Sequence, residues 1–304
     1  MGAVRSLLSA RPKARHEACD IVDPAVARQA RPPPCGTLNL FQSPVFFHKG
    51  PVLSAIPPLI VGNWKMNGRG ADLAELVRLR DSLASRPSPG RVGVCPPFTL
   101  LSEAARRLEG SEVALGAQDC HAGTEGAFTG DVSAGMLTDI GVALVILGHS
   151  ERRQGHHETD AEVAAKATSA LSAGLEPILC VGETLDERRN GDAVAVVTRQ
   201  AIASTPKDIG RGRFAIAYEP IWAIGSGLTP SEDEIAQMHR ALRAALREHL
   251  GEPGGLAPIL YGGSVKPQNA AELLDIDEVG GALVGGASLR ADDFIQIIRA
   301  GQKG

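Results

Sequence analysis

The chain is 304 residues long, and its 31 Lys and Arg against 35 Asp and Glu leave a formal net charge of −4. With 43% hydrophobic and 22% charged residues it has the composition of one large or two small globular domains, and no chain-wide basic field for nucleic acid. No apolar run approaches the roughly 18 residues that a membrane-spanning helix needs.

The five cysteines, Cys19, Cys35, Cys95, Cys120 and Cys180, are odd in number and form no C-x-x-C pair. That argues against a disulfide framework or a cysteine zinc site, and for reduced thiols of a cytoplasmic protein.

Residues 1–56 differ in texture from the rest. They hold seven Lys and Arg against three Asp and Glu, a triple proline at Pro32-Pro33-Pro34, and no sustained helical or strand period. Such a segment is expected to be a disordered extension, or to reflect a start codon assigned too early. A transit peptide would be served by Arg5, Arg11, Lys13 and Arg15 but not by Glu17, Asp20 and Asp23. The start Met1-Gly2-Ala3-Val4-Arg5-Ser6 fits a loose myristoylation pattern that chance often produces. No secretory signal is read, because Arg11 and Pro12 break the apolar stretch after Arg5. A catalytic domain is expected over 57–304.

Within that domain short apolar runs recur at 59–64, 92–95, 113–117, 144–147, 177–181, 214–218, 258–261 and 282–284. Each is too short for a helix and apolar on both faces, which predicts a strand buried on both sides. Helical patterns lie between them, for example at 72–84, 159–173, 231–250 and 292–300. Two open with a capping box, Thr159 with Glu162 and Ser231 with Glu234. Strand-helix alternation repeated eight times in about 245 residues predicts an α/β fold, a (β/α)8 barrel of eight parallel strands with outer helices. The open doubly wound alternative would show G-x-G-x-x-G after its first strand, and Gly62-Asn63-Trp64-Lys65-Met66-Asn67-Gly68 is not that turn.

A barrel carries its site at the C-terminal ends of its strands. The residues there are Asn63 and Lys65 after the first run, Gly148-His149-Ser150-Glu151 after the fourth, and Glu219-Pro220 after the sixth. Gly262-Gly263-Ser264 follow the seventh run and Gly285-Gly286 the eighth. Any one of these alone reads as a solvated lysine, a loop histidine, an ion-pair partner or a turn. Together they put a carboxylate, a histidine, a lysine and two Gly-rich loops at one mouth. A carboxylate without a neighbouring nucleophile suits proton abstraction from carbon. A histidine opening a helix is favoured neutral and can donate to a carbonyl oxygen. Lysine stabilises an enediolate, and backbone N–H groups hold a phosphate. The chemistry described is enolisation of a small phosphorylated carbonyl compound.

Five motifs resemble the triosephosphate isomerase family. They are Gly62-Asn63-Trp64-Lys65-Met66-Asn67, Gly126-Ala127-Phe128-Thr129-Gly130, Gly148-His149-Ser150-Glu151-Arg152-Arg153, the stretch from Ala217 to Gly227, and Tyr261-Gly262-Gly263-Ser264-Val265. The likeness runs in order from Leu59 to about Gly301. It implies interconversion of dihydroxyacetone phosphate and glyceraldehyde 3-phosphate without a cofactor or metal. Glu219 would be the base, His149 the neutral electrophile, and Lys65 a phosphate ligand and charge stabiliser. Asn63 would position the substrate. Gly225, Ser264, Gly285 and Gly286 would bind phosphate through their N–H groups. Residues 220–230 would close as a lid. Thr129 would reach a second copy in a homodimer, with no nucleic-acid or membrane partner.

Some positions depart from the commonest pattern of that family. Leu228 stands where lysine is frequent, with Pro230 close behind, and Asp131 stands for glutamate. His156-His157-Glu158 replaces an aromatic-glycine-glutamate run, and its spacing is not that of a metal motif. Two rival functions remain open at this level. One is an isomerase of a four-carbon ketose phosphate, distinguished by pocket volume near Ile224 and Leu289. The other is a silent phosphate-binding barrel, which would be expected to lack the base or the electrophile.

Overall fold

In the computed structural model, which describes residues 57–225 and 228–301, the apolar runs are β-strands. They are β1 (Leu59–Asn63), β2 (Arg91–Cys95), β3 (Val113–Ala117), β4 (Leu144–Leu147), β5 (Glu176–Val181), β6 (Ala215–Tyr218), β7 (Ile259–Tyr261) and β8 (Gly281–Val284). Each pairs in parallel with its sequence neighbours, and β8 returns to β1 with Leu59 beside Gly281, so the sheet closes into a barrel. The expectations made for residues 1–56 lie outside the described residues.

The helices are α1 (Leu73–Ser85), α2 (Leu101–Leu108), α3 (Ala134–Asp139), α4 (Ser150–Gly155), α5 (Asp160–Ser172) and α6 (Leu185–Arg189). They continue with α7 (Ala193–Ser204), α8 (Glu232–Leu250), α9 (Glu252–Leu256), α10 (Ala270–Asp275) and α11 (Ala291–Ala300). Thr159 and Ser231 cap α5 and α8 with both arms of the capping box made, and Thr184 with Glu187 does the same for α6.

The strands are apolar throughout because each has two interiors to fill. Leu59 and Val61 of β1, Leu144 and Ile146 of β4, Ile178 and Cys180 of β5, and Ala215 and Ala217 of β6 pack together inside the barrel. The intervening Ile60, Val145, Leu147, Leu179, Val181, Ile216 and Tyr218 pack outward against the helices. This is the period-2 alternation of a strand, with both faces dry.

At the N-terminal end, Arg91 and Glu176 lie in the inward register of β2 and β5. They form a two-pronged ion pair, Nη1 to Oε1 at 2.9 Å and Nη2 to Oε2. Glu176 is buried, so removal of Arg91 would strand its charge, at about 3–5 kcal/mol. That pair closes the end of the barrel opposite the cavity described next.

Candidate active site

The inward register of the strands delivers two side chains directly to the mouth. Two residues beyond Val61 is Asn63, and two beyond Ala217 is Glu219. Both are buried, Glu219 to 1% exposure. His149 arrives by a different route. Gly148 has φ of +64°, and a Cβ there would sit 2.7 Å from a methyl of Val163. Only glycine makes this left-handed turn at no steric cost. The chain therefore leaves β4 and enters α4 at once, with His149 as the N-cap.

The imidazole is fixed at both nitrogens. The Glu151 N–H donates to Nδ1 at 3.2 Å, and Nε2 lies 2.9 Å from Glu219 Oε1. A backbone N–H can only donate, so Nδ1 is the acceptor and Nε2 carries the proton. Glu219 also accepts from the Ser150 N–H at 2.9 Å and from the Ser150 hydroxyl at 3.2 Å. Beneath it lies the thiol of Cys180, whose pKa is pushed well up by burial and then by the charge of Glu219.

Lys65 has φ of +53°, in the left-handed region that non-glycine residues rarely adopt. Its neighbours hold it there. Asn63 Oδ1 accepts the Lys65 N–H at 2.9 Å, and Gln118 Nε2 donates to the Lys65 carbonyl at 2.8 Å. The ammonium lies 2.7 Å from Glu151 Oε1. Backbone strain held by specific partners is a common mark of functional sites.

One cavity of about 560 Å³ opens at the C-terminal ends of the strands. Asn63, Lys65, His149, Glu219, Gly225, Ser264, Gly285 and Gly286 all line it. The eight residues singled out by sequence, from five strand ends, are thus brought together. Gly286 opens a 3-10 turn, Gly286–Leu289, which follows β8. Ile224 lines the same cavity, but Leu289 does not. It belongs to a neighbouring hollow with Trp64, Asp72, Glu75 and Arg290, so it does not set the volume of the main pocket. In the segment expected as a lid, Ile221–Ala223 forms a 3-10 turn, while Ser226 and Gly227 lie outside the described residues.

Sequence reasoning missed two supports. Glu183, fully buried after β5, accepts from Tyr218 Oη at 3.1 Å, Trp222 Nε1 at 2.8 Å and Arg188 Nη1 at 2.9 Å. The rule that singles out residues after each strand reaches this carboxylate as well. Arg153 donates to the carbonyls of Gly148 at 2.8 Å and Cys180 at 3.1 Å, with Asp160 as its counterion at 2.7 Å. Its identity alone carries no such signal, since an arginine in a helical turn usually faces water.

A family model described as triosephosphate isomerase matches residues 58–301. The triosephosphate isomerase of Caulobacter vibrioides is 54% identical over 243 residues, covering 80% of this chain and 96% of that protein. That of Acidiphilium cryptum is 53% identical over 254 residues, covering 81% and 98%. A crystal structure of the Bartonella henselae enzyme, 42% identical, aligns with a TM-score of 0.75 over 82% of this chain and 100% of its own. The agreement extends from the residue before β1 to the residue after α11, and the chain belongs to the triosephosphate isomerase family.

Proposed function

We infer that the family's activity, the interconversion of dihydroxyacetone phosphate and D-glyceraldehyde 3-phosphate, is carried out here by Glu219 and His149. The Glu219 carboxylate removes a proton from the carbon beside the substrate carbonyl. The Nε2–H of His149 donates to the carbonyl oxygen as negative charge develops there, and an enediolate results. In the enediolate the hydroxyl proton passes to the former carbonyl oxygen, with His149 Nε2 bridging the two oxygens. The Glu219 carboxyl returns its proton to the adjacent carbon, so no electrons leave the substrate and no cofactor takes part. Lys65, across the cavity, offsets the charge of the enediolate and of the phosphate. Ser264, Gly285, Gly286 and Gly225 grip the phosphate with backbone N–H groups, and Asn63 orients the substrate.

The observation that carries this reading is the 2.9 Å separation of His149 Nε2 and Glu219 Oε1 on the wall of a cavity that the Gly-rich loops also line. All the hydrogen bonds of Glu219 in this arrangement are to protein donors, so the carboxylate must release some of them to reach carbon. Closing of the segment 220–230 over bound substrate is the natural occasion, and triosephosphate isomerases are a standard example of such gating.

The same reading takes the molecule to be a homodimer. The loop after β3 folds its own tip, with the His121 and Phe128 rings 4.0 Å apart. Phe128, Met66 and Met136 are nonetheless exposed, Met66 to 96%. Beside the main cavity lies a smaller one of about 190 Å³, lined by Lys65, Met66, Gln118, Glu151 and Arg152 among others. A second copy's Thr129 loop would cover these groups and steady Lys65. Among the described residues no helix is long and apolar enough to cross a membrane.

The test is turnover of glyceraldehyde 3-phosphate by the purified protein in D2O, followed by NMR of the product. Proton transfer through a carboxyl that exchanges with solvent places deuterium on the product carbon. Absence of turnover, or a product with no solvent deuterium at any extent of reaction, would overturn the assignment.

A further inference from the structure

The cavity carries a second lysine whose circumstances differ from those of Lys65. Lys266 sits in the turn between β7 and α10 and lines the cavity beside Ser264 and Gly285. Its backbone is locked. Its N–H donates to Asn269 Oδ1 at 2.8 Å, its carbonyl accepts from the N–H groups of Asn269 and Ala270, and Asn269 Nδ2 donates to the Ser264 carbonyl at 3.1 Å. The turn that presents Ser264 therefore fixes the base of the Lys266 side chain as well.

Among the described residues, Lys65 and Lys166 have their ammonium groups in ion pairs, and Lys266 has its own in none. The carboxylates that line the same cavity are Glu219 and Asp293 of α11, and among the described residues neither forms an ion pair with Lys266. An exposed cation at the rim of a low-dielectric cleft raises the local concentration of anions and orients them, most of all those of charge −2.

We infer that Lys266 is a positioning residue for the dianionic end of the substrate. It draws the phosphate into the grip of Ser264, Gly285 and Gly286, against the repulsion of Asp293, and takes no part in proton transfer. This rests on the reading of the cavity as a phosphate site.

Lys266→Gln should lower kcat/KM for glyceraldehyde 3-phosphate about three- to tenfold at 10 mM ionic strength, and less than about twofold at 0.5 M, where screening removes the field. The change should lie in KM, with kcat kept, and Lys266→Arg should restore it. Asp293→Asn should move kcat/KM the other way. The inhibition constant of inorganic phosphate should rise in Lys266→Gln, whereas turnover of unphosphorylated glyceraldehyde should not move. A role confined to holding the turn would move both aldehydes alike and would be indifferent to salt. Two failures are distinguishable. If inorganic phosphate does not inhibit the wild-type protein, the phosphate site itself is misread, and this inference falls with it. If phosphate inhibits wild type and Lys266→Gln equally at both ionic strengths, only the assignment of Lys266 is overturned.

Discussion

Replacing Glu219 by Gln tests the base with the least disturbance of the site. Three donors converge on the carboxylate, the Ser150 N–H and His149 Nε2 at 2.9 Å and the Ser150 hydroxyl at 3.2 Å. A Gln amide has one oxygen, so its NH2 must face either the Ser150 N–H or the His149 Nε2–H. The imidazole cannot answer by moving its proton, because Nδ1 already accepts from Glu151. One charge-assisted hydrogen bond is lost, about 1.5–3 kcal/mol, and relief of a buried charge offsets part of it. A net loss of at most ~2 kcal/mol lowers the thermal midpoint of a barrel this size by under about 8 °C. The variant should therefore fold and yet lose at least ~10² in kcat, the lower bound for general-base catalysis. Glu219→Asp keeps the charge but retreats by one methylene, and a displacement of ~1 Å can itself cost about 10²-fold. A coupled assay of dihydroxyacetone phosphate formation reads both variants, with near-ultraviolet circular dichroism as the folding control. A folded Gln variant within tenfold of wild-type kcat would refute the assignment of the base.

Three further outcomes are expected. Buried His239 donates from Nδ1 to the Glu278 carbonyl at 3.2 Å, and burial pushes its pKa down to about 4. Its folded pKa is below the unfolded value near 6.5, so the unfolded chain binds the extra proton and stability falls as pH drops from about 6.5 towards 4. Urea unfolding of wild type should lose about 2 kcal/mol between pH 8 and 5 that His239→Gln does not lose; parallel pH profiles would refute this. Sedimentation of the full chain should give about twice 31.7 kDa, and shortening the loop between Cys120 and Thr129 should give monomers with much lower kcat, whereas a fully active monomer at micromolar concentration would refute the dimer account. Deletion of residues 2–55 should leave activity and thermal midpoint nearly unchanged, because the first described strand starts at Leu59 and the family match at 58; a fall of several degrees would show that the segment contributes to the fold.

The strands were legible because a doubly buried strand is an uninterrupted apolar run, and their ends erred where chemistry and hydrogen bonding part company. Arg91 and Glu176 belong to β2 and β5 yet are charged, so an apolar criterion starts both strands one residue late. Phe214 and Pro258 are apolar yet precede β6 and β7. Helices α1, α5, α8 and α11 were legible from period, and α5 and α8 from their capping boxes as well. Helices α3, α4, α6, α9 and α10 span five or six residues each, too few for a 3.6-residue period to declare itself. In the site, the groups that end strands were legible by position. The ion pair of Arg91 with Glu176 was not, since 85 positions separate partners that meet only when the barrel closes.

The supports that sequence did not reveal join Glu219 to His149 by way of β5. Glu219 and His149 follow β6 and β4, strands that are not neighbours, with β5 between them. The Glu219 N–H donates to the Val181 carbonyl at 2.7 Å, and the Ile221 N–H to the Glu183 carbonyl at 3.2 Å, so both sides of the base are fastened to the end of β5. A Cβ on Gly182 would lie 1.9 Å from the Glu219 carbonyl oxygen, so no other residue admits that approach. The Glu183 carboxylate then takes the side chains on either side of the base, Tyr218 and Trp222. From β5 the linkage passes to β4 through Arg153, whose guanidinium spans the carbonyls of Cys180 and Gly148, the residue before His149. A planar cation bonded to both strand ends resists their sliding in a way that apolar packing alone does not. The 2.9 Å contact of His149 with Glu219 is therefore held by the direct bonds from Ser150 to the Glu219 carboxylate and, behind them, by the polar links through β5.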